Sequence, residues 1–154
     1  MLVGDYLFAR SFQLMTETNN MRVLAILANA SATIAEGEVL QLTAAQNLAT
    51  DEGIYLQVVR GKTAALFSAA TQVGGVIATA PDAQVQALFD YGDALGIAFQ
   101  IVDDLLDYQG DPNATGKNIG DDFRERKLTL PVIKAIAKGD AAERAFWTRT
   151  IEKG

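Results

Sequence analysis

The chain has 154 residues, with 13 Lys and Arg against 19 Asp and Glu, a formal net charge of -6, and neither Cys nor His. Without those two residue types there is no Ser-His-Asp or Cys-His nucleophilic site, no disulfide framework and no Cys/His zinc site, so any metal is held by oxygen. A hydrophobic content of 49% suits a globular chain that buries roughly 70% of its unfolded surface, and the acidic balance with scattered cations offers no footprint for nucleic acid.

Only three prolines occur, at 81, 112 and 131, and long Ala/Leu/Val stretches run between Asn, Asp, Gly and Pro clusters, which is helical punctuation. The pattern predicts helices over Asp5 to Thr18, Met21 to Leu48, Glu52 to Thr79 with a loosening at Gly74-Gly75, Asp82 to Tyr108, Pro131 to Lys138, and a last one from Ala141. Asp51, Asp82 and Asp140 read as N-caps and Gly139 as a C-terminal stop. The N-terminus has no basic region and meets Asp5 early, so it does not read as a secretory signal, and a cytoplasmic protein is expected. The uncharged stretch Thr63 to Pro81 is long enough to raise the question of a membrane span. Its Thr, Ser and Gln residues and its Ala and Gly content favour a core helix instead, so no transmembrane segment is expected. The fold class implied is all-α, several long helices forming a bundle whose interior holds any site. The one substantial loop is Gln109 to Asp122.

Charge is concentrated rather than spread. Between Asp103 and Asp122 six Asp face one Lys, a local balance of -5, while the remainder of the chain carries -1. Within this stretch Asp103, Asp104 and Asp107 fall on one arc near the end of the fourth helix, because successive residues turn by about 100°. Like charges at that spacing repel, and they oppose the helix dipole at its C-terminal end. The arc borders an apolar stripe of Leu95, Phe99, Val102 and Leu106. Carboxylates at a bundle's mouth suit Mg²⁺, which takes one or two of them and completes its shell with water and substrate phosphate. A solvated acidic helix end is the competing reading.

Lys62 is the second irregularity, since it lies with Tyr55, Val58, Ala65, Leu66, Ala69 and Val73 on an apolar stripe. An interior lysine is costly unless it meets an anion; the alternative is a buried stem with the amine reaching solvent. Gly61-Lys62-Thr63 imitates the end of a P-loop, but Leu56 stands at the first glycine position and no strand precedes it. Asn113-Ala114-Thr115 is a formal glycosylation sequon without a secretory signal to give it meaning. Asp111, Asn113, Thr115, Gly116 and Asp122 occupy positions 1, 3, 5, 6 and 12 of an EF-hand-like frame. That leaves open a noncatalytic helical module binding Ca²⁺ or a partner through the acidic loop 111-122, against which stand Pro112 and the absence of the terminal Glu.

Taken together, the run from Gly96 through Phe99-Gln100-Ile101-Val102-Asp103-Asp104-Leu105-Leu106-Asp107 to Tyr108, followed by Gly116-Lys117-Asn118-Ile119-Gly120-Asp121-Asp122 and Arg126-Lys127-Leu128-Thr129-Leu130-Pro131, resembles the second aspartate-rich region of trans-polyprenyl diphosphate synthases. Gly4-Asp5-Tyr6-Leu7, Gly37-Glu38-Val39-Leu40-Gln41-Leu42 and Lys62-Thr63-Ala64-Ala65-Leu66 match upstream in the family's order, so the resemblance runs from residue 2 to about 135.

The resemblance implies an all-α bundle of the isoprenoid synthase type, usually a homodimer. Its activity would be a prenyltransferase condensation of an allylic diphosphate with isopentenyl diphosphate, assisted by Mg²⁺. By the same resemblance Asp103, Asp104 and Asp107 help hold the metal ions, directly or through water. Lys62, Lys117 and Lys127 neutralise the departing diphosphate. Phe99, Gln100 and Thr63 line the reacting carbons, where Gln100 and Thr63 stabilise the cation or assist the final proton loss. Such chemistry needs neither His nor Cys, since metal ions and fixed ammonium groups neutralise the leaving group without proton transfer. The family's first aspartate-rich motif and its N-terminal Arg and Lys are not found. The expectation is therefore a partial domain over 1-154, resembling an internal piece of about half such an enzyme, whose activity alone is in doubt.

Overall fold

The structure, a computed structural model, describes residues 2–109 and 119–153. All elements among these residues are helical. In chain order they are α1 (Leu2–Glu17), α2 (Met21–Ala44), α3 (Glu52–Val59), a π-helical turn (Arg60–Ala64), α4 (Ala65–Ile77), α5 (Asp82–Gln109), α6 (Asp121–Arg124), α7 (Leu130–Lys138), α8 (Ala141–Trp147) and a second π-helical segment (Thr148–Lys153). α3, the π turn and α4 run on as one helix, which packs against α2 on one side and α5 on the other.

Local chemistry explains most boundaries. Asn20 begins α2 by accepting from the N–H groups of Arg22 and Val23, a cap the sequence reading overlooked. Asp51 caps α3 by accepting from Ile54 N at 2.9 Å, and Asp140 forms a full capping box with Glu143, as expected. Gly139 ends α7. Asp82 is not a cap. The first acceptor of α5 is the Pro81 carbonyl, which takes Gln84 N and Val85 N, while the Asp82 carboxylate sits in the first turn and pairs with Arg22 at 2.7 Å. α2 stops at Ala44, short of the predicted Leu48: Thr50 folds back to donate to the Ala44 carbonyl at 2.8 Å, and Gln46 takes a positive φ of 59°.

The central helix is loosened at Arg60–Ala64 rather than at Gly74-Gly75. There the Ala65 N–H bonds back to the Arg60 carbonyl, the five-residue spacing of a π turn. A Cβ on Gly37 of α2 would lie 2.5 Å from Lys62 N and 2.7 Å from the Gly61 carbonyl carbon. The two backbones therefore touch. α5 grips the other side in the same way, since a Cβ on Gly96 would lie 2.5 Å from Ala64 Cα, and one on Gly92 2.6 Å from Ser68 Cα.

Two apolar clusters flank this crossing. One joins Tyr55 and Val59 of α3 to Leu128, Val132, Ile133 and Ile151, and the other joins Val23, Val76 and Val85. The stripe Leu95, Phe99, Val102 and Leu106, expected to be the buried face that the carboxylate arc borders, is instead 41%, 54%, 53% and 44% exposed. The buried side of α5 is the one carrying Val85, Gly92, Gly96 and Asp104, because close helix packing selects its small residues.

The stretch Thr63 to Pro81 is a core helix, with Ser68, Ala69, Gly75 and Val76 buried. Among the described residues one helix, α2, is long and apolar enough to cross a membrane by length and composition, and most of it is not buried by the rest of the chain.

The glycine contact yields a prediction with a built-in control. Gly37→Ala should lower the unfolding free energy by about 1–3 kcal/mol through overpacking against backbone. Gly74→Ala, where a Cβ meets nothing within 4 Å, should raise it by about 0.5–1 kcal/mol through helix propensity. Urea midpoints of the two variants, moving in opposite directions, check both.

Candidate functional site

A cavity of about 270 Å³ opens where α2, the α3–π–α4 helix, α5 and the segment after α6 meet. Its wall holds Lys62, Thr63, Gln100, Asp103, Asp104 and Lys127, together with Gln41, Thr50, Tyr55, Asp122, Leu128 and Thr129. Six of the nine residues singled out in the sequence thus come together. Phe99 and Asp107 stand outside the lining: Phe99 packs its ring against Phe67 at 5.3 Å on the outer face of α5, and Asp107 does other work. Lys117, and the Ca²⁺-loop residues Asp111, Asn113, Thr115 and Gly116, lie outside the described residues.

Asp104 is the most constrained group. It is 3% exposed, and each carboxylate oxygen accepts one hydrogen bond. Tyr55 Oη donates to Oδ2 at 2.7 Å, and Gln100 Nε2 to Oδ1 at 2.8 Å. Gln100 in turn accepts from Thr63 Oγ1 at 2.9 Å. Burial raises the Asp104 pKa above the ordinary carboxylate value; the two donors pull it back, and Asp122 and Asp103 push it further up. Burial, followed by the bond to Asp104, pushes the Tyr55 hydroxyl far above its usual value, so it remains a donor at any physiological pH.

Asp107 accepts from the N–H groups of Asp121 at 3.1 Å and Asp122 at 3.2 Å, and its own carbonyl accepts from Gly120 N at 2.8 Å. Its carboxylate therefore caps α6, a short helix that starts within the last two residues of the expected loop Gln109 to Asp122 and runs on to Arg124. That capping sets the direction from which Asp122 and Lys127 approach the cavity. Lys127 Nζ meets Asp122 at 3.1 Å and Glu125 at 2.7 Å. Burial alone would lower its pKa, but the two carboxylates outweigh it and hold the ammonium above its usual range.

Lys62 is half-buried rather than interior. Its Nζ pairs with Glu38 at 2.9 Å and donates to Gln41 Oε1 at 2.9 Å. Both partners come from α2, Glu38 directly after the Gly37 contact and Gln41 one turn beyond it. The cavity mouth therefore holds two cations from different elements, each neutralised by acids of this chain. No three carboxylates among the described residues already converge as an ion cage.

The sequence reading placed Tyr55 only as an apolar neighbour of Lys62, and it gave Glu38, Gln41 and Thr50 no role. Periodicity marks a buried tyrosine; it does not show which carboxylate its hydroxyl meets.

Comparison with known proteins bears directly on this geometry. The polyprenyl synthetase family profile matches residues 1–154. The chain is 44% identical to an octaprenyl diphosphate synthase of Haemophilus influenzae over 99% of its own length and 46% of that protein, and 43% identical to the Escherichia coli octaprenyl diphosphate synthase over 99% and 47%. It superimposes on a decaprenyl diphosphate synthase from Rhodobacter capsulatus with a TM-score of 0.91 at 81% identity, covering 99% of this chain and 47% of that one. A polyprenyl synthase from Caulobacter crescentus, complexed with calcium and isoprenyl diphosphate, gives 0.94 at 53% identity, covering 99% and 46%. The chain spans about half the length of the relatives it matches.

Removing the cap is testable apart from any catalytic role. In metal-free buffer Asp107→Ala should lower the unfolding free energy by about 1 kcal/mol, and Asp107→Asn, which keeps an acceptor, by clearly less. Equal losses in denaturant titrations would contradict the capping role.

Proposed function

The chain belongs to the polyprenyl synthetase family, and from that premise we propose that it forms the part of a trans-prenyltransferase that carries the second aspartate-rich motif and its phosphate-binding cations. The reaction joins an allylic diphosphate to isopentenyl diphosphate, giving a longer polyprenyl diphosphate. The single observation that carries this reading is the convergence of Lys62, Thr63, Gln100, Asp103, Asp104 and Lys127 from separate helices onto one cavity. Residues 1–154 then make up a partial domain, cytoplasmic and without a membrane span, in an enzyme that works as a homodimer.

The donors around the cavity that could hold a metal are carboxylate oxygens, from Asp103, Asp104 and Asp122. That set suits a hard cation and excludes a soft one. In this reading Asp103 and Asp104 would hold Mg²⁺, directly or through water, and Asp107, which stands outside the lining and caps α6, would reach it through water. The bound metal supplies charge neutralisation to the allylic diphosphate.

The chain's own residues do the rest. Lys62 exchanges Glu38 and Gln41 for the diphosphate, and Lys127 exchanges Asp122 and Glu125. Lys117 adds a third positive charge. Because Asp122 and Glu125 already hold the Lys127 ammonium above its usual range, that positive charge is in place before the leaving group departs. Thr63 and Gln100 present oxygen dipoles to the developing allylic cation, and Phe99, outside this lining, meets the hydrocarbon only where it runs past the cavity onto the outer face of α5. Dry walls formed by Val58, Val59 and Leu128 keep water from capturing that cation.

The test uses a hybrid in which this chain replaces the matching 47% of the Rhodobacter capsulatus decaprenyl diphosphate synthase. We expect Mg²⁺-dependent condensation of labelled isopentenyl diphosphate, abolished by chelation. Asp103→Ala should lower kcat by at least about 100-fold with the helical circular dichroism intact. An active Asp103→Ala hybrid, or one indifferent to chelation, would overturn the assignment. The 154-residue chain alone is expected to show no turnover.

A further inference from the structure

We infer that Tyr55 is a positioning residue that sets the polarity of the cavity wall through Asp104, Gln100 and Thr63. The inference rests on the prenyltransferase reading, and it adds a residue and a mechanism for which that reading has no role. Four side chains form one hydrogen-bonded chain across the two central helices. Tyr55 donates to Asp104 at 2.7 Å, Gln100 donates to Asp104 at 2.8 Å, and Thr63 donates to Gln100 at 2.9 Å.

The direction of each bond follows from donor and acceptor inventories. An ionised carboxylate only accepts, so Gln100 must turn its NH₂ end toward Asp104. Its carbonyl end then faces Thr63, and the Thr63 hydroxyl must spend its one proton on that oxygen. The oxygens of this pair turn lone pairs toward the cavity, from Thr63 Oγ and from the second acceptor site of the Gln100 carbonyl, while the second Gln100 N–H stays at the Asp104 end of the amide. A wall of acceptor oxygens is suited to a passing cation, whereas a flipped amide would present N–H donors to it.

Tyr55 holds the far end of this chain. It is 5% exposed and sits in α3, one element before the π turn that carries Thr63, and its hydroxyl fixes the Asp104 oxygen that Gln100 does not hold. Without it, Oδ2 of a buried carboxylate has lost its one side-chain donor. The carboxylate is then free to rotate and take both N–H groups of Gln100 or a water. Gln100 and Thr63 lose their single orientation. Networks of this type act as units, so removing either end costs nearly what removing both costs.

The experiment is Tyr55→Phe in the same hybrid, which deletes one oxygen at constant ring volume. We expect kcat to fall by about tenfold or more, as misplacement of a reacting group does. KM for both diphosphates should stay within about twofold, because no group that binds them is removed. In a Thr63→Ala background, adding Tyr55→Phe should cost less than about twofold further, although Tyr55 and Thr63 share no hydrogen bond. An unchanged kcat overturns the inference. So do a rise in KM instead of a fall in kcat, multiplicative losses in the double variant, and loss of helical structure in Tyr55→Phe, which would make the hydroxyl a stability element only. An inactive parent hybrid overturns the prenyltransferase reading itself, and is thereby distinguished from an active parent whose Tyr55→Phe variant is unaffected.

Discussion

The arrangement depends on a contact between two backbones with no side chain between them. Helices ordinarily cross with axes 8–10 Å apart because side chains interdigitate. Where Gly37 of α2 meets Gly61 and Lys62, a Cβ on Gly37 would lie within 2.5 Å of backbone, so the helices approach more closely than any other residue permits. At the same point the central helix widens into the π turn Arg60–Ala64, and π turns recur at functional sites because they re-aim side chains. The result here is specific. Lys62 emerges beside Glu38 and Gln41 of α2, and Thr63 emerges against Gln100 of α5. Gly92 and Gly96 grip the same helix from the other side, against Ser68 and Ala64. The five residues of the π turn are thus clamped between two close crossings, and two of them line the cavity.

Four of the clustered acids are tolerated because each has acquired its own donors. Their spacing alone implied repulsion relieved by a cation from outside. Within the chain, Asp104 takes Tyr55 and Gln100, Asp107 takes two backbone N–H groups of α6, Asp122 takes Lys127, and Asp121 takes Arg124. Much of the local charge of -5 is therefore spoken for structurally before any ligand arrives. This changes the meaning of the motif. Its first, second and third aspartates occupy three different environments: one in the cavity wall, one buried under a tyrosine, one at the start of a short helix.

What could be read from the sequence divides along physical lines. Long helices, the Asp51 and Asp140 caps and the Gly139 stop were legible, because helix periodicity and capping are local and a few residues determine them. Lys62, Thr63, Gln100, Asp103, Asp104 and Lys127 were legible as a group because their order along the chain matched a family pattern. The π turn was not, since Gly74-Gly75 carries the stronger local signal and the actual loosening sits at a crossing set by a residue 24 positions upstream. Nor was the role of Tyr55. Its wheel position reports burial, whereas its partner lies 49 residues away, a separation over which one sequence without homologues carries no pairing information. The Asp82 cap failed for a nearby reason: Pro81 supplies the first acceptor, freeing the Asp82 carboxylate for Arg22.

The same distinction explains the exposed stripe on α5. Leu95, Phe99, Val102 and Leu106 recur at helical spacing, which is what a core face looks like, yet each is more than two-fifths exposed. Scattered exposed apolar residues are ordinary, but a contiguous row marks a surface that another surface covers. Periodicity reports burial in the whole assembly that shaped a sequence, while exposure reports only the residues described here. The two disagree on this face of α5 and along α1, where Leu2, Tyr6, Leu7 and Phe8 are all exposed. They agree around the cavity, where Tyr55, Val59 and Leu128 are buried by their own chain. The cavity is thus assembled by contacts among the described residues, and it holds its shape without help from the exposed face that carries Phe99.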